Sequence, residues 1–231
     1  MTEADLGDAR DRAAASSADR SGLRALDDPY EVLQRSAERL ASHYDGIVSA
    51  ETAERVVFES YAALKRTARV DAHLPSLAYR FANERLTALA QSKGVIPKPV
   101  PEVLFVCVQN SGRSQMAAAL MRELGSGRVH VRSAGSQPGE AVLPSVVDAM
   151  REVGLDLGEE FPKPLTDDVV RAADAVVTMG CGDACPVYPG KRYLDWRLED
   201  PAGLDADGVR RVRDEIRAHV ERLLAEILPT V

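Results

Sequence analysis

Residues 103–120, VLFVCVQNSGRSQMAAAL, set a cysteine, small polar residues and an arginine within eight positions at the end of an apolar run. An apolar run ends in Cys107, the small polar residues Asn110, Ser111 and Gly112 follow, and Arg113 and Ser114 come directly after. A buried strand would pack better with another valine at position 107, and a plain turn has no use for an arginine so close behind it. A loop between a strand and a helix N-terminus, however, aims several backbone N–H groups at one point, where the helix dipole adds positive potential. Small residues let such a loop curl around a tetrahedral oxyanion. Arg113 would add a permanently charged, bidentate clamp. The same field favours the thiolate of Cys107, the form that attacks, and Ser114 could donate a hydrogen bond to it. The candidate site is therefore the nucleophile Cys107 with Asn110, Ser111, Gly112, Arg113 and Ser114 around the anion. The plainer alternative is a packed cysteine at a strand end beside a surface arginine.

The chain holds two further cysteines, Cys181 and Cys185, in MGCGDACP (179–186). An odd count of three cannot make a disulfide framework. Zinc would require about four ligands, and no Cys-x2-Cys pair or neighbouring histidine pair supplies them, so no metal is expected. Packing is a second reading, although a glycine-rich loop is a poor place for core residues. A third is a resolving pair, since thiols exchange when their Cα atoms come within about 7 Å and the glycines would let the loop travel. Asp200, in an Asp-Pro pair, could protonate a leaving oxygen as a mobile carboxylate, or simply form a turn; Asp195 and Asp168 are its competitors. His43 and His73 stand alone and suggest no ligand set.

The elements that must carry these residues follow from periodicity. Residues 1–25 show no steady apolar period and read as a mobile tail. From Asp27 the pattern is helical: Asp27 or Asp28 can cap, Pro29 suits a first turn, and Ser49 can start a second helix. A third begins near Leu74-Pro75, so residues 26–93 predict a three-helix bundle. GVIPKPVP, residues 94–101, forbids helix and reads as a stiff linker. Residues 102–231 then alternate: strands over 102–108, 129–135, 174–180 and 191–196, helices over 114–125, 143–154, 166–173 (capped by Thr166) and 205–228. That order predicts an α/β fold with a doubly wound, parallel four-stranded sheet, its functional residues beyond the carboxyl ends of the strands. Val56, Val57, Tyr61 and Leu64 could form a private core or half of a dimer interface. So small a bundle favours the interface.

Composition narrows the classes. The 231 residues carry a formal net charge of −7, which argues against nucleic acid as main partner. There is no run of about 18 uncharged apolar residues, so no membrane span is expected. The acidic N-terminus has no apolar core and does not read as a signal peptide, which suggests a cytoplasmic protein.

CVQNSGRSQMA (107–117) resembles the anion loop of low-molecular-weight tyrosine phosphatases and of the arsenate reductases sharing their fold. SAGS (133–136), VVTMGCGDACP (176–186) and DWRLEDPAG (195–203) are similar to the reductases in particular. Where the phosphatases continue Arg-Ser-Pro, this chain has Gln115-Met116 after Ser114, as the reductases do. The resemblance implies reduction of arsenate to arsenite in detoxification, with Cys107 as nucleophile, Arg113 as oxyanion clamp, Asn110 and Ser114 shaping the loop and Asp200 as general acid. It also implies a relay in which Cys181 attacks the Cys107 sulfur, Cys185 attacks Cys181, and thioredoxin reduces the product, with no bound cofactor. The N-terminal helices resemble the extension of the longer actinobacterial-type reductases, which are homodimers. Two features depart from the longer-studied thioredoxin-coupled enzymes: Gly112 stands where they have a cysteine, and their resolving thiols are more widely spaced. A mycothiol-coupled branch has similar segments around Cys181 and Asp200 and needs only the first cysteine. Two further classes stay open. A tyrosine phosphatase would use Cys107, Arg113 and Asp200 with Tyr188 and Trp196 as an aromatic rim, and a binding module would sense oxyanions without catalysis.

Overall fold

A computed structural model describes residues 28–69, 71–180 and 185–228. The tail expected over 1–25 and the thiol of Cys181 lie outside the described residues.

Helix α1 (Pro29–His43) starts where Asp28 accepts from the Tyr30 amide at 2.9 Å, with proline in the first turn. Helix α2 (Ala50–Lys65) is capped by Ser49, whose Oγ accepts from Thr52 N at 3.2 Å. Helix α3 (Leu74–Ser92) completes the bundle. Leu33, Leu40, Phe81 and Leu86 meet Val56, Val57 and Leu64 in one buried cluster. The last three are 3%, 0% and 5% exposed, which corrects the expectation that they face a second copy. They close a private core, because three short amphipathic helices bury their apolar stripes most completely against one another.

Strands β1 (Glu102–Cys107), β2 (His130–Gly135), β3 (Ala175–Met179) and β4 (Arg192–Asp195) form a parallel sheet in the order β2-β1-β3-β4. Cys107 lies at its carboxyl edge, opposite Gly135 on one side and Met179 on the other. Along β1 the side chains alternate. Val103, Phe105 and Cys107 join the core beneath α4 (Arg113–Gly125), α5 (Pro144–Arg151) and α7 (Ala206–Ile227). Leu104 and Val106 join the opposite cluster, beneath α6 (Asp167–Ala172), together with Ala88 of α3. The N-terminal helices thus help to cover the second face, as a parallel sheet requires. Asp205 caps α7 through Gly208 N at 2.8 Å. Thr166 precedes α6 but does not cap it: its hydroxyl is drawn to the Asp168 carboxylate at 3.2 Å. Between β3 and β4, no helix occurs among the described residues.

The proline-rich segment is fastened down. Lys98 Nζ donates to Ala172 O and pairs with Asp174, both at 2.6 Å. Charged groups knit α3 to α2, to the helix over Asp167–Ala172 and to the sheet. Buried Arg85 donates to Asp168 (2.8 Å), Glu59 (3.0 Å) and Ser60 (3.2 Å). Buried Arg132 pairs with Glu102 and donates to Glu84 O at 2.8 Å and Gln91 Oε1 at 3.1 Å. Burial by itself would raise the Glu102 carboxyl, but His130 and Arg132 outweigh it and hold the group below the usual carboxylate range.

Candidate active site

Strand β1 ends at Cys107 because its register with β2 and β3 ends there. The loop over 108–112 then reverses direction and enters α4 at Arg113. Asn110 makes the turn with φ +50°, a left-handed conformation that asparagine tolerates better than most residues. The turn brings Asn110 N back to Cys107 Sγ, donating at 3.2 Å. Ser114 Oγ lies 3.0 Å from the same sulfur, and Asn110 Nδ2 donates to that oxygen at 2.8 Å. Cys107, Asn110, Ser111 and Ser114 are all buried, so the sulfur is desolvated except for these donors. Ser111 turns back on the loop, its Oγ donating to Gln109 O at 3.2 Å.

Arg113 is largely buried, and its guanidinium reaches the segment before α7. One nitrogen pairs with Asp200 Oδ2 at 2.6 Å and another donates to Leu198 O at 3.4 Å. Asp200 Oδ1 accepts from Ala202 N at 3.0 Å, so the Asp-Pro turn and the site carboxylate are the same structure. Asp168 serves Arg85 instead, and Asp195 accepts from Thr178 Oγ1 at 2.8 Å, so neither competitor meets Arg113. The structure brings together Cys107, Asn110, Ser114, Arg113 and Asp200.

Two glycines make room for this cluster. A Cβ on Gly112 would stand 2.7 Å from Cγ of Pro201, so the ring next to Asp200 can rest on the loop only if position 112 has no side chain. Gly180, at φ +76°, ends β3, and a Cβ there would lie 3.1 Å from an Arg113 nitrogen. The chain therefore passes the guanidinium immediately before Cys181.

Cys185 lies elsewhere. It is buried in the cluster beneath α6 with Leu104, Val106 and Val176, on the face of the sheet opposite Cys107. The aromatic rim is corrected. Trp196 is buried, 5.6 Å from Phe105 and stacked 4.8 Å from His219, because the residue after β4 turns into the core beneath α7. Tyr188 packs on Arg171 at 4.2 Å, beside the amino end of β3 and away from Cys107. No group of three or more His, Cys, Asp or Glu suited to a metal ion occurs among the described residues.

Some site residues were invisible in the sequence. Gln115 donates through Nε2 to Asn110 O (3.1 Å), Asn110 Oδ1 (3.2 Å) and Phe161 O (3.1 Å). Pro201, Gly180 and Lys163 also act across large separations in the chain. Gln115 stood out only as the residue that replaces the phosphatases' proline, and nothing local marked its contacts or the other three.

Comparison with known proteins agrees with this architecture. Residues 102–230 match the low molecular weight phosphotyrosine protein phosphatase family, and residues 33–90 match the protein-tyrosine-phosphatase-like N-terminal domain. The first match spans more than half of the chain, and the chain belongs to that family. The solved structure of a thioredoxin-dependent arsenate reductase from Corynebacterium glutamicum is 48% identical, with a TM-score of 0.77, covering 85% of this chain and 96% of that one. Arsenate reductase 1 of Staphylococcus epidermidis is 39% identical over 123 residues, covering 52% of this chain and 92% of the relative. The glutaredoxin arsenate reductase of Synechocystis is 36% identical over 129 residues, covering 54% and 98%.

Proposed function

We propose that the protein reduces arsenate to arsenite, using Cys107 as nucleophile and a Cys181/Cys185 relay that thioredoxin regenerates, in arsenic detoxification. The observation that carries this reading is the buried sulfur of Cys107, which accepts from Asn110 N at 3.2 Å and shares a hydrogen bond with Ser114 Oγ at 3.0 Å, beside an arginine already in contact with an acid. These contacts fix the buried sulfur in one position at the mouth of the loop, where an attacking thiolate is needed.

The Cys107 thiolate attacks arsenic(V): a sulfur–arsenic bond forms, an arsenic–oxygen bond breaks, and Asp200 supplies the proton with which that oxygen leaves as water. Arg113 and the loop N–H groups hold the remaining oxygens. The Cys181 thiolate then attacks the Cys107 sulfur. A disulfide forms, the sulfur–arsenic electron pair passes to arsenic as it becomes arsenic(III), and arsenite leaves after taking up protons from water. The Cys185 thiolate attacks Cys181 in turn, releasing the Cys107 thiolate and leaving a Cys181–Cys185 disulfide for an external dithiol. Cofactors are not required in the site; the reductant is external. The name of the Corynebacterium relative supports thioredoxin in that role.

The burial of Cys185 favours a second reading, in which a small thiol such as mycothiol attacks the arsenic adduct and only Cys107 is needed. A phosphatase reading keeps Cys107, Arg113 and Asp200 but loses its aromatic rim, with Trp196 buried and Tyr188 on Arg171. No helix among the described residues is long and apolar enough to cross a membrane, which fits a cytoplasmic site of action. Homodimerisation through the outer faces of α1–α3 belongs to the same proposal and is read by sedimentation.

Purified protein with arsenate, thioredoxin, thioredoxin reductase and NADPH tests the relay. NADPH consumption by the native protein and none by the Cys181→Ser, Cys185→Ser variant supports it. Turnover that appears only when mycothiol and its redox partner are supplied replaces the relay and keeps the reductase. Silence in both assays removes the reductase.

A further inference from the structure

Residues 161–165 touch both the helical bundle and the first loop. They run beside the carboxyl end of β2, where Gly135 N donates to Lys163 O at 2.8 Å and Leu165 N donates to Gly135 O at 2.9 Å. From there Lys163 N donates to Asn110 Oδ1 at 2.8 Å, and Phe161 O accepts from Gln115 Nε2 at 3.1 Å. On the other side, the Phe161 ring is buried in the core of α1–α3, with the Arg80 guanidinium 5.3 Å from its centre. Lys163 is itself buried, and its Nζ pairs with Glu84 Oε1 of α3 at 3.3 Å and lies 3.8 Å from Glu160 Oε2.

These contacts decide which way the Asn110 amide faces. Its Oδ1 meets two donors, Lys163 N–H and Gln115 Nε2, so Nδ2 must turn toward Ser114 Oγ. Ser114 Oγ then accepts from Asn110, which leaves its own proton free to point at Cys107 Sγ. With the amide reversed, Nδ2 would face two donors, and Oδ1 would draw the hydroxyl proton away from the sulfur.

We propose that Lys163 is a positioning residue: its ion pair with Glu84, together with the Phe161 anchor in the helical core, holds the Asn110 amide in the orientation that turns the Ser114 hydroxyl proton toward the Cys107 sulfur. The N-terminal helices thereby tune the nucleophile without touching it. This inference rests on Cys107 being the nucleophile, and the test separates the two.

In the full chain carrying Cys181→Ser and Cys185→Ser, the rate of Cys107 alkylation by iodoacetamide is followed against pH. Lys163→Met is expected to move the midpoint upward by about one pH unit, which makes alkylation about tenfold slower on the acid side. Lys163→Arg should restore most of that rate. Glu84→Gln, at a half-buried position on α3, should shift the midpoint in the same direction and serves if Lys163→Met does not fold. Unchanged midpoints in variants whose circular dichroism remains native overturn the role of Lys163 and leave the nucleophile in place. A parent whose Cys107 resists alkylation at every pH overturns both.

Discussion

The two faces of the sheet are built differently, and each carries one of the described thiols. Beneath α4, α5 and α7 the core is thick, with Phe105, Met116, Met121, Met150, Trp196 and Ile216 around the position of Cys107. Beneath α6 and α3 it is thin, made largely of Ala88, Ala134, Ala172, Ala173 and valines, with Cys185 among them. Small side chains bury less apolar area, so buried ion pairs such as Arg85–Asp168 and Arg132–Glu102 brace that second face. The thick face can hold a nucleophile in one geometry. The thin face holds a thiol that, on the proposed relay, has to leave its place among Leu104, Val106 and Val176.

Substituting each face's thiol is the sharpest way to break this contrast. Cys107→Ser should lower arsenate turnover by on the order of a thousandfold or more, with a nearly native melting temperature. A smaller loss in the coupled assay would remove Cys107 from the chemistry.

On the second face the largest effect should come from charge. Glu102→Gln leaves Arg132 buried without its ion partner and should cost about 3–5 kcal/mol in urea unfolding. Because the folded carboxyl lies below its ordinary value, its contribution is complete above about pH 4.3 and disappears as pH falls through the lower folded value. The gap between native and Glu102→Gln stabilities should therefore narrow in acid, and a constant gap would contradict the pairing. Asp200→Asn should slow single-turnover arsenite formation about 100-fold, and equal rates would assign the leaving-group proton to another donor. Cys185→Ser should have the smallest effect, under about 1 kcal/mol on stability and none on single turnover, while repeated turnover with thioredoxin stops. A fall in single-turnover rate would place Cys185 in the first step and end the division of labour between the faces.

How legible all this was in the sequence depended on distance along the chain. Cys107, Asn110, Arg113 and Ser114 lie within eight residues, so a strand, a turn and a helix start were enough to imply their convergence. Asp200 could be suspected from its proline. Lys163 and Gln115 could not, because their roles depend on the Asn110 amide, and that contact joins segments whose own periodicity says nothing of each other. The misread aromatics have a similar cause. Trp196 follows a short strand, and only the packing of α7 shows which side of the sheet it enters. Val56 and Val57 looked equally suited to a bundle core and to a dimer, since an amphipathic stripe does not specify what will cover it.

On the proposed function, the contact between Arg113 and Asp200 also governs admission. A carboxylate already resting on the guanidinium is a resident competitor, and an arriving anion gains the arginine only by displacing it. Its apparent affinity is then reduced by the fraction of time the carboxylate swings free. The Asp200 side chain is 57% exposed, so water weakens its hold and that fraction stays appreciable. A doubly charged tetrahedral anion, which also takes the loop N–H groups, outbids the carboxylate more readily than a singly charged one. On this reading the site screens for charge before shape. On the proposed reaction the same displacement releases Asp200 from the guanidinium, so entry of the substrate and release of the acid are one event.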